Sequence, residues 1–451
     1  MEKLNSQKVA VLGFGLEGKD LCRFLLSQKA KITVFDQKQD LSADQDYQDF
    51  KNQGIEFRLG ESSLDSLADG SFVFIFRSPG FSPLRAEIKK AKEKGSQISS
   101  AINLFFERCL GKIIGVTGTK GKGTTATLIS EILKKDGKRV FLAGNVGQPV
   151  LSLLGQIKAD DWVVLELSSF QLMDLEKSPH IAVVLFITSE HLNYHQDTQE
   201  YIQAKSNIVT HQNKNNLTVL NADNSTSSSF ANLTKGQVYH FSRQKKVNGS
   251  YAKDQKIYLF DQEIGSTEKL QLLGEHNWDN VCAAVLAAHL AGASLKSIQK
   301  TIFDFKGLEH RLEPVRELEG VSFYNDSFST TPETTIAAVK SFKKPIILIA
   351  GGSDKGSDYK QLGEEMVKST AKVLILIGQM ADQINKAVLA AGFQGEVILR
   401  PSEKMAEIVK LAFEKAKPEG IVLLSPACAA FDLFANYKDR GEQFKKNVQE
   451  L

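Results

Sequence analysis

Residues 115–125 read GVTGTKGKGTT, a glycine-rich segment that follows a short apolar run and precedes a helical pattern. Gly115, Gly118 and Gly121 leave the backbone bare, so that amide N–H groups can face an anion. Lys122 supplies a positive charge, and the helix after it presents the positive end of its dipole. These features together favour a loop that holds nucleotide phosphates over a simple glycine-rich turn with lysines on its surface.

Two positions depart from the common phosphate-loop pattern G-x-x-x-x-G-K-[ST]. Val116 occupies the place of the first glycine, and Gly123 replaces the hydroxyl residue that usually binds Mg²⁺. Thr124, one residue further on, is the nearest substitute, and Thr119 is a second option. A water molecule can also fill the position, since Mg²⁺ commonly keeps several. The sequence leaves these three alternatives open.

A glutamate stands where it could hold a metal ion beside this loop. Glu166 ends the apolar run DWVVLEL, and the carboxyl ends of parallel strands meet at one edge of a sheet. A carboxylate at that edge commonly holds the Mg²⁺ of a nucleotide triphosphate. A glutamate that ends a strand is otherwise more often a solvated rim residue, and the neighbouring phosphate loop favours the metal interpretation.

A second glycine motif opens the chain. GFGLEG, residues 13–18, matches G-x-G-x-x-G between a predicted strand and a predicted helix, and Asp36 ends the next strand. The pattern ordinarily indicates NAD, with the aspartate on a ribose. Without a hydride-transfer constellation nearby, it predicts only that a nucleotide-like diphosphate can bind here. A tight strand-to-helix turn without a ligand is the alternative.

The elements that must position these motifs follow a repeated β–α pattern, which predicts an α/β protein with parallel sheets. The pattern restarts at GKIIGVTG and again after FKGLEHRLEPV. We therefore predict three domains, at residues 1–108, 109–308 and 309–451. The polar stretch near 213–270 is predicted to be loop and hairpin.

Composition excludes several classes of protein. The 451 residues carry a net charge of +3, from 56 Lys and Arg against 53 Asp and Glu. This near balance gives no indication of the excess positive charge that is typical of nucleic-acid-binding proteins. Four scattered cysteines argue against a disulfide framework or a zinc site. The N-terminus has no long apolar segment, and the apolar runs are of strand length. We expect a cytoplasmic protein without membrane insertion.

Nine segments occur in an order that resembles one known family. They are GVTGTKGKGTT, AGNVG (143–147), ELSSFQL (166–172), SEHLNYH (189–195), QAKSNI (203–208), GEHNWDN (274–280), GLEHRLE (307–313), YNDSFSTT (324–331) and LLSPACAAFDLF (423–434). Together they are similar to the Mur ligases of bacterial cell-wall synthesis, over nearly the whole chain. The resemblance implies an N-terminal Rossmann-like domain, a central P-loop ATPase-type α/β domain and a C-terminal Rossmann-like domain.

The resemblance also implies a reaction. ATP would activate the carboxylate of UDP-N-acetylmuramoyl-L-alanine as an acyl phosphate, and the amine of D-glutamate would then displace phosphate. The implied cofactors are two Mg²⁺ ions and a CO₂-derived carbamate on Lys205. Burial near metal could lower the pKa of this lysine enough for carbamylation. By itself, Lys205 would be taken for an ordinary surface lysine. The implied protein is a monomer.

The matched motifs assign roles to particular residues. The implied catalytic set is Lys122, Glu166, His191 and Lys205, and the implied metal ligands are Thr124, Glu166, His191 and carbamylated Lys205. ATP would bind Gly118, Thr119, Lys120, Gly121, Lys122, Gly123, Thr124, Thr125, Asn277, Asn280, Arg311 and Asp326. The sugar nucleotide would bind Gly15, Leu16, Glu17, Asp36, Gln37, Ser78, Gly80 and Asn145. D-Glutamate would bind Thr330, Lys355, Ala430 and Tyr437.

Some positions differ from the family pattern. Phe328 replaces a lysine, Ala430 replaces a serine and Asn193 stands where aspartate is common. A ligase that adds L-glutamate or another amino acid therefore stays an alternative. Two further alternatives are a dehydrogenase that uses the N-terminal glycine motif, and a P-loop switch protein in which hydrolysis drives a change of shape.

Overall fold

The computed structural model describes residues 4–190, 194–272, 274–354 and 356–451. Contacts divide the chain into two compact units. The first comprises Met1–Leu270 with Glu275–Asp304, and the second comprises Gln271–Gly274 with Phe305–Leu451. The first unit contains two sheets, and the second contains one.

The first sheet has five parallel strands in the order β3-β2-β1-β4-β5. Its strands are short apolar runs, and Val9, Val11 and Val34 are fully buried, as expected where helices cover both faces of a parallel sheet. The strands are β1 Lys8–Leu12, β2 Lys31–Asp36, β3 Glu56–Leu59, β4 Phe74–Arg77 and β5 Gln97–Ser100. The helices are α1 Leu16–Ser27, α2 Gln45–Asn52, α3 Ala86–Glu93 and α4 Ala101–Arg108.

The second sheet has nine strands in the order β14-β13-β12-β11-β10-β9-β6-β8-β7. The strands are β6 Lys112–Thr117, β7 Val140–Gly144, β8 Trp162–Glu166, β9 Ile181–Val184, β10 Leu217–Asn221, β11 Gln237–Ser242, β12 Gly249–Lys253, β13 Lys256–Leu259 and β14 Gln262–Ser266. The helices are α5 Lys122–Lys135, α6 Ser169–Leu172, α7 Thr198–Thr210, α8 Ser225–Ser229, α9 His276–Leu290 and α10 Leu295–Asp304. The strands from β7 to β12 in this order pair in parallel, and β13 and β14 are antiparallel.

The stretch 213–270 corrects the sequence prediction in part. The antiparallel hairpin is present as β12, β13 and β14. The loop interpretation is wrong for β10 and β11, which extend the parallel part of the sheet. These strands have only five and six residues and lie among polar segments, so their apolar pattern is too short to stand out in the sequence.

Buried polar contacts join the first sheet to the second. Arg77, at the end of β4, donates from Nε and Nη2 to the Asp174 carboxylate at 2.7 and 2.9 Å. It also donates to the backbone oxygens of Phe81 and Phe170. Asp20 accepts the backbone N–H groups of residues 151 and 152 at 2.9 and 3.1 Å. These hydrogen bonds therefore hold the first sheet and the second sheet together within the first unit.

Replacing Arg77 with alanine should lower the free energy of unfolding by about 3 kcal/mol, because it leaves Asp174 without its buried cation. The Arg77 side chain is only 1% exposed. Arg23→Ala is the matched control, since Arg23 is 55% exposed in its ion pair with Asp46 and should contribute less than about 0.5 kcal/mol. Denaturant unfolding of both variants measures the difference, and equal effects would contradict the structural role of Arg77.

The third sheet forms the second unit, with six strands in the order β15-β16-β20-β17-β18-β19. Only β15 is antiparallel to its neighbour. The strands are β15 Glu313–Leu318, β16 Val321–Asn325, β17 Ile346–Gly351, β18 Ala371–Ile377, β19 Glu396–Leu399 and β20 Ile421–Leu424. The helices are α11 Pro332–Lys340, α12 Lys360–Lys368, α13 Ala381–Ala390, α14 Met405–Ala416 and α15 Tyr437–Gln449.

The three sheets confirm the predicted α/β class. The β–α pattern restarts at β6 and again at β15 and β16, as the sequence indicates. The exact domain limits at residues 108 and 308 stay predictions. Across the part of the chain that the structure describes, no helix has the length and apolar character needed to cross a bilayer.

Candidate active site

The predicted phosphate loop connects β6 to α5. Gly118 has φ +150° and Gly121 has φ +86°, values that L residues rarely adopt. A Cβ on Gly118 would lie 2.7 Å from the Cβ of Leu185, and a Cβ on Gly121 would overlap the Asn280 Oδ1 atom. Both positions therefore require glycine, which leaves the backbone of the loop bare before the first turn of the helix.

Gly121→Ala should weaken nucleotide binding about 30-fold, equivalent to about 2 kcal/mol, because the new methyl group strains φ and displaces Asn280. Gly137→Ala is the control, since Gly137 lies just beyond the opposite end of α5 with φ +83° and open space around a Cβ. The control should lose only about 1 kcal/mol of stability from backbone strain. Calorimetry with a non-hydrolysable ATP analogue measures both affinities, and unchanged affinity in Gly121→Ala would contradict the role of the loop.

Two lysines converge on this loop. Lys122 Nζ donates to the carbonyl oxygens of Gly118 and Thr119 at 3.1 and 3.0 Å. Lys205 Nζ donates to the same Gly118 oxygen at 2.9 Å and lies 4.6 Å from the centre of the Tyr201 ring. The two side-chain nitrogens therefore share one backbone acceptor.

Lys205 is buried, so the interpretation as an ordinary surface lysine is wrong. It lies on the inner face of α7 and is 1% exposed. Burial lowers its pKa well below the ordinary 10.5, and the nearby positive charge of Lys122 lowers the pKa further. Glu190 and Glu166 act in the opposite direction but do not reverse the shift. The lowered pKa favours the neutral amine more than at an exposed lysine.

A cavity of about 230 Å³ lies in front of these lysines. It brings together three residues that the sequence singled out, Lys122, Asn145 and Lys205. The remaining lining residues were not predicted as site residues and are Pro79, Ser168, Ser169, Phe170, Glu190 and Tyr201. Three of these lie in the quoted ELSSFQL segment, and Glu190 lies in SEHLNYH. These two motifs could therefore have identified four of the six residues as cavity residues.

The hydroxyl groups of the loop have separate roles. Thr119 Oγ1 exchanges hydrogen bonds with the backbone of Thr188 at 3.0 and 3.1 Å and with Tyr201 Oη at 2.9 Å. The Thr119 hydroxyl anchors the loop. It is therefore a poor candidate for the Mg²⁺ ligand that is missing at Gly123. Thr124 is 5% exposed on the first turn of α5 and keeps the assignment as the substitute for Gly123.

The other predicted loop residues surround this centre. Glu166 ends β8, and its carbonyl oxygen accepts the backbone N–H of Asn145 at 3.1 Å. Lys120 is an exposed residue whose Nζ lies 3.1 Å from Glu190 Oε1. Gly123 and Thr125 are buried in α5. The predicted metal ligand His191 lies outside the described residues.

Two asparagines of α9 support the loop from the side. Asn280 is 6% exposed, and its Oδ1 accepts from Thr125 Oγ1 at 3.3 Å. Its Nδ2 donates to Asn277 Oδ1 at 2.7 Å. Asn280 therefore fixes the position of Gly121 and of the first turn of α5, in addition to any contact with a nucleotide.

The N-terminal glycine loop is held by its own aspartate. Asp36 Oδ2 accepts the backbone N–H of Phe14 at 2.7 Å, and Oδ1 accepts that of Lys38 at 2.9 Å. A Cβ on Gly18 would overlap the carbonyl oxygen of Gly13, so the helix packs closely on the loop. Asp36 is therefore engaged in shaping the loop, which weakens the dehydrogenase alternative because that alternative needs it on a ribose.

Some residues that are predicted to bind the sugar nucleotide are exposed, and others form hydrogen bonds within the protein. Leu16 is 79% exposed, and Gln37 and Gly80 are also exposed. Glu17 Oε1 instead accepts from Gln171 Nε2 at 2.6 Å, and burial raises the pKa of this carboxyl group. The others in this set are Gly15, where a Cβ would meet open space, and Ser78, whose Oγ lies 3.4 Å from the Gly13 carbonyl oxygen.

In the second unit, Arg311 stacks on an aromatic pair. Its guanidinium lies 4.6 Å from the centre of the Phe328 ring, and that ring packs edge-on against Tyr437 at 5.0 Å. The phenylalanine that replaces the family's lysine thus contacts two residues assigned to ATP and to glutamate. Of the other predicted glutamate residues, Thr330 is half-buried, Ala430 is 2% exposed, and Lys355 lies outside the described residues.

Asp326 does not fit a direct contact between its carboxylate and ATP. It is 2% exposed, Ser425 Oγ donates to Oδ2 at 2.7 Å, and the Leu312 N–H donates to Oδ1 at 3.1 Å. Burial raises its pKa to about 6. Because both carboxylate oxygens are occupied within the unit, we interpret Asp326 as a support for the loop that carries Arg311.

The sequence analysis missed a second buried arginine, Arg440. Its Nε donates to Ser327 Oγ, and its Nη atoms donate to the carbonyl oxygens of Ser327, Cys428 and Ala429, all at 3.0–3.2 Å. Burial lowers its pKa to about 10. One guanidinium therefore joins the segment before Thr330 to the segment that carries Ala430. Arg440 lies six residues beyond the quoted segment LLSPACAAFDLF, so that segment gave no signal for it.

The amino-acid sequence of this chain matches known protein families and relatives over nearly its whole length. Three family models match in sequence order: the Mur ligase MurD-like N-terminal domain at residues 7–100, the Mur ligase middle domain at 116–288 and the Mur ligase glutamate ligase domain at 310–428. The UDP-N-acetylmuramoylalanine–D-glutamate ligase of Acetivibrio thermocellus is 40% identical, covering 100% of this chain and 98% of its own. The corresponding ligase of Symbiobacterium thermophilum is 39% identical, covering 99% and 98%.

Solved structures agree on the fold. UDP-N-acetylmuramate-alanine ligase MurC from Thermotoga maritima has a TM-score of 0.61 at 17% identity, covering 98% of this chain and 99% of its own. MurF from Acinetobacter baumannii has a TM-score of 0.60 at 16% identity, covering 99% and 92%. The three matched models, in the order of the three α/β sheets, define this chain as a ligase of the Mur type. This chain belongs to the Mur ligase family.

Proposed function

We propose that this chain is an ATP-dependent ligase that joins D-glutamate to UDP-N-acetylmuramoyl-L-alanine, in the synthesis of peptidoglycan precursors. The observation that carries the ligase assignment is the cavity in which Lys122, Asn145 and Lys205 meet. The full-length identity of 40% to a named D-glutamate ligase supports the choice of substrates. The other products are ADP and inorganic phosphate.

The reaction proceeds in two covalent steps. An oxygen of the alanine carboxylate attacks the γ-phosphorus of ATP, the bond to the bridging oxygen breaks, and ADP leaves. The resulting acyl phosphate is a good electrophile, so the amine of D-glutamate attacks its carbonyl carbon and phosphate leaves with the electron pair. Both substrates are anionic, so the site must supply positive charge where the transferred phosphoryl group lies.

Lys122 supplies that charge from the loop. Its ammonium group already lies against the carbonyl oxygens of residues 118 and 119, at the start of a helix whose dipole also favours an anion. Asn145 lines the same cavity and is proposed to contact the muramoyl-alanine part of the substrate. The glycine loop of residues 13–18 is proposed to hold the UDP part, together with the assigned residues around it.

The residues of this site fit Mg²⁺ and a carbamate. Glu166 at the end of β8 and the hydroxyl of Thr124 are oxygen donors of the kind that Mg²⁺ prefers. Burial lowers the pKa of the Lys205 amine, which favours its addition to CO₂, in which an N–C bond forms and one proton is released. These groups, with His191, would hold two Mg²⁺ ions, which when bound would neutralise phosphate charge.

The second unit is proposed to supply the remaining contacts. Arg311 would steady the transferred phosphoryl group, as an arginine does in other phosphoryl transfers. Thr330, Lys355, Ala430 and Tyr437 would hold D-glutamate. A monomer that acts in the cytoplasm is proposed on the resemblance to the Mur ligases.

A phosphate-release assay with UDP-N-acetylmuramoyl-L-alanine and ATP tests the function. We expect rapid phosphate release with D-glutamate and a new sugar-nucleotide product, with L-glutamate at least about 100-fold slower. Equal or faster turnover with L-glutamate would reassign the amino acid. Phosphate release without any added amino acid would favour a switch protein, and tight NADH binding would favour the dehydrogenase.

A further inference from the structure

A buried histidine lies behind the wall of the cavity. His195 is 3% exposed, and its Nε2 lies 3.0 Å from the hydroxyl oxygen of Ser169. Its Nδ1 lies 3.7 Å from Glu200 Oε1. Ser169 is the first residue of α6 and lines the cavity beside Lys122. The mechanism above uses none of these three residues, although a hydroxyl, an imidazole and a carboxylate in this order can move a proton.

Ring contacts fix the orientation of this imidazole. The ring stacks on Phe170, with centroids 5.5 Å apart and an angle of 20°, and meets the edge of Tyr201 at 5.3 Å. Glu200 Oε2 accepts the Gln196 N–H at 2.6 Å, which holds the other oxygen towards Nδ1. The relay uses the tautomer with the hydrogen on Nδ1, facing the Glu200 carboxylate; in this tautomer Nε2 accepts the Ser169 hydroxyl hydrogen.

Ser169 lines the cavity, and in that tautomer its oxygen keeps a lone pair that can accept a proton. An acyl phosphate held in the cavity by Lys122 would meet the incoming amine in the same space. The ammonium group of the amino acid loses one proton to solvent before it can attack. On attack, the N–C bond forms, the bond from carbon to the phosphate oxygen breaks, and the nitrogen must lose one more proton to become an amide.

We propose that Ser169 takes this second proton during amide formation and passes its own hydroxyl proton to His195 Nε2. The Glu200 carboxylate stabilises the imidazolium that results, and the proton returns to solvent after the product leaves. The proposal rests on the ligase function above and adds a general base to it. A base of this kind acts only in the second covalent step, since formation of the acyl phosphate needs no proton transfer from an amine.

The two half-reactions can be measured separately in the full-length chain. Rapid-quench experiments follow ADP for acyl-phosphate formation and labelled D-glutamate for amide formation. In Ser169→Ala, which removes one oxygen atom, we expect ADP formation within about threefold of wild type and amide formation slower by about 100-fold. His195→Gln should behave in the same way, and Glu200→Gln should show a smaller loss, of about 10-fold. Thermal unfolding checks that each variant is folded.

Hydroxylamine serves as a control nucleophile that replaces D-glutamate in the second step. It is uncharged at neutral pH and attacks acyl phosphates without a base, so hydroxamate formation should be the same in Ser169→Ala and wild type. Equal losses of ADP, hydroxamate and amide in the variant would show that the contact serves packing alone and would overturn the relay, as would unchanged amide formation. A wild-type chain that forms no ADP would overturn the ligase function itself, which is a distinguishable result.

Discussion

Replacing Lys122 with alanine should reduce ligation by about 1,000-fold or more while the fold stays intact. The reason is electrostatic: an ammonium group on the transferred phosphoryl is worth several kcal/mol in a site that excludes water. The lysine is half-buried at the start of α5 and donates to two loop carbonyls. Its loss should therefore cost activity far more than stability. Phosphate release in the presence of both substrates measures the effect.

Two companion variants make this test specific. Lys134→Ala removes a lysine from the far end of the same helix, where the side chain is 46% exposed and pairs with Glu131, and it should keep near-normal activity. Lys122→Arg keeps the charge but changes its shape, so it should recover only part of the rate. Near-normal turnover in Lys122→Ala would contradict the assignment of the phosphate loop.

Replacing Lys205 with alanine should also abolish ligation, and small carboxylates such as acetate or formate should restore part of it. The expectation follows from the proposed carbamate, because the variant leaves a cavity where an added carboxylate can take its place. We expect a loss of about 1,000-fold and a rescue of at least about 10-fold at high carboxylate concentration. The dependence of phosphate release on acetate concentration measures the rescue.

The pH dependence of this modification has a defined sign. Carbamate formation needs the neutral amine, and burial places the pKa of Lys205 below its ordinary value. The modification should therefore persist as the pH falls through the ordinary lysine pKa of 10.5 and be lost once the pH drops below the lowered pKa. Lys214→Ala, at an exposed lysine in the turn after α7, serves as the control that acetate should not affect. A Lys205→Ala variant that gains no activity from any carboxylate would remove the support for a carbamate.

The strand, glycine loop and helix around Lys122 could be predicted from the sequence because their pattern is local. A strand, three glycines, a lysine and a helix occupy consecutive positions, so spacing alone defines the geometry of Gly118, Gly121 and Lys122. The same holds for Glu166, whose place at the end of a strand follows from the apolar pattern. The order of the strands in the sheets did not follow from local patterns, since it depends on pairing between distant segments.

Burial of charged groups could not be predicted from local sequence. Arg77 finds its carboxylate partner 97 residues away, and Arg440 bonds to backbone oxygens of three residues in two distant segments. Asp326 was assigned to ATP because its motif matches, whereas its oxygens accept hydrogen bonds from Leu312 and Ser425 within the second unit. Lys205 differs from a surface lysine only through the packing of α7 against the loop.

The hydrogen bonds of Arg77 and Asp20 between the first two sheets have a consequence for inhibitors. They fix the spacing between the N-terminal glycine loop and the loop that precedes α5, because both belong to the same body. A compound that spans the two loops could then be rigid without losing affinity to a change in their separation. Stiff linkers that match this spacing should be preferred to flexible ones, since they lose less conformational entropy on binding.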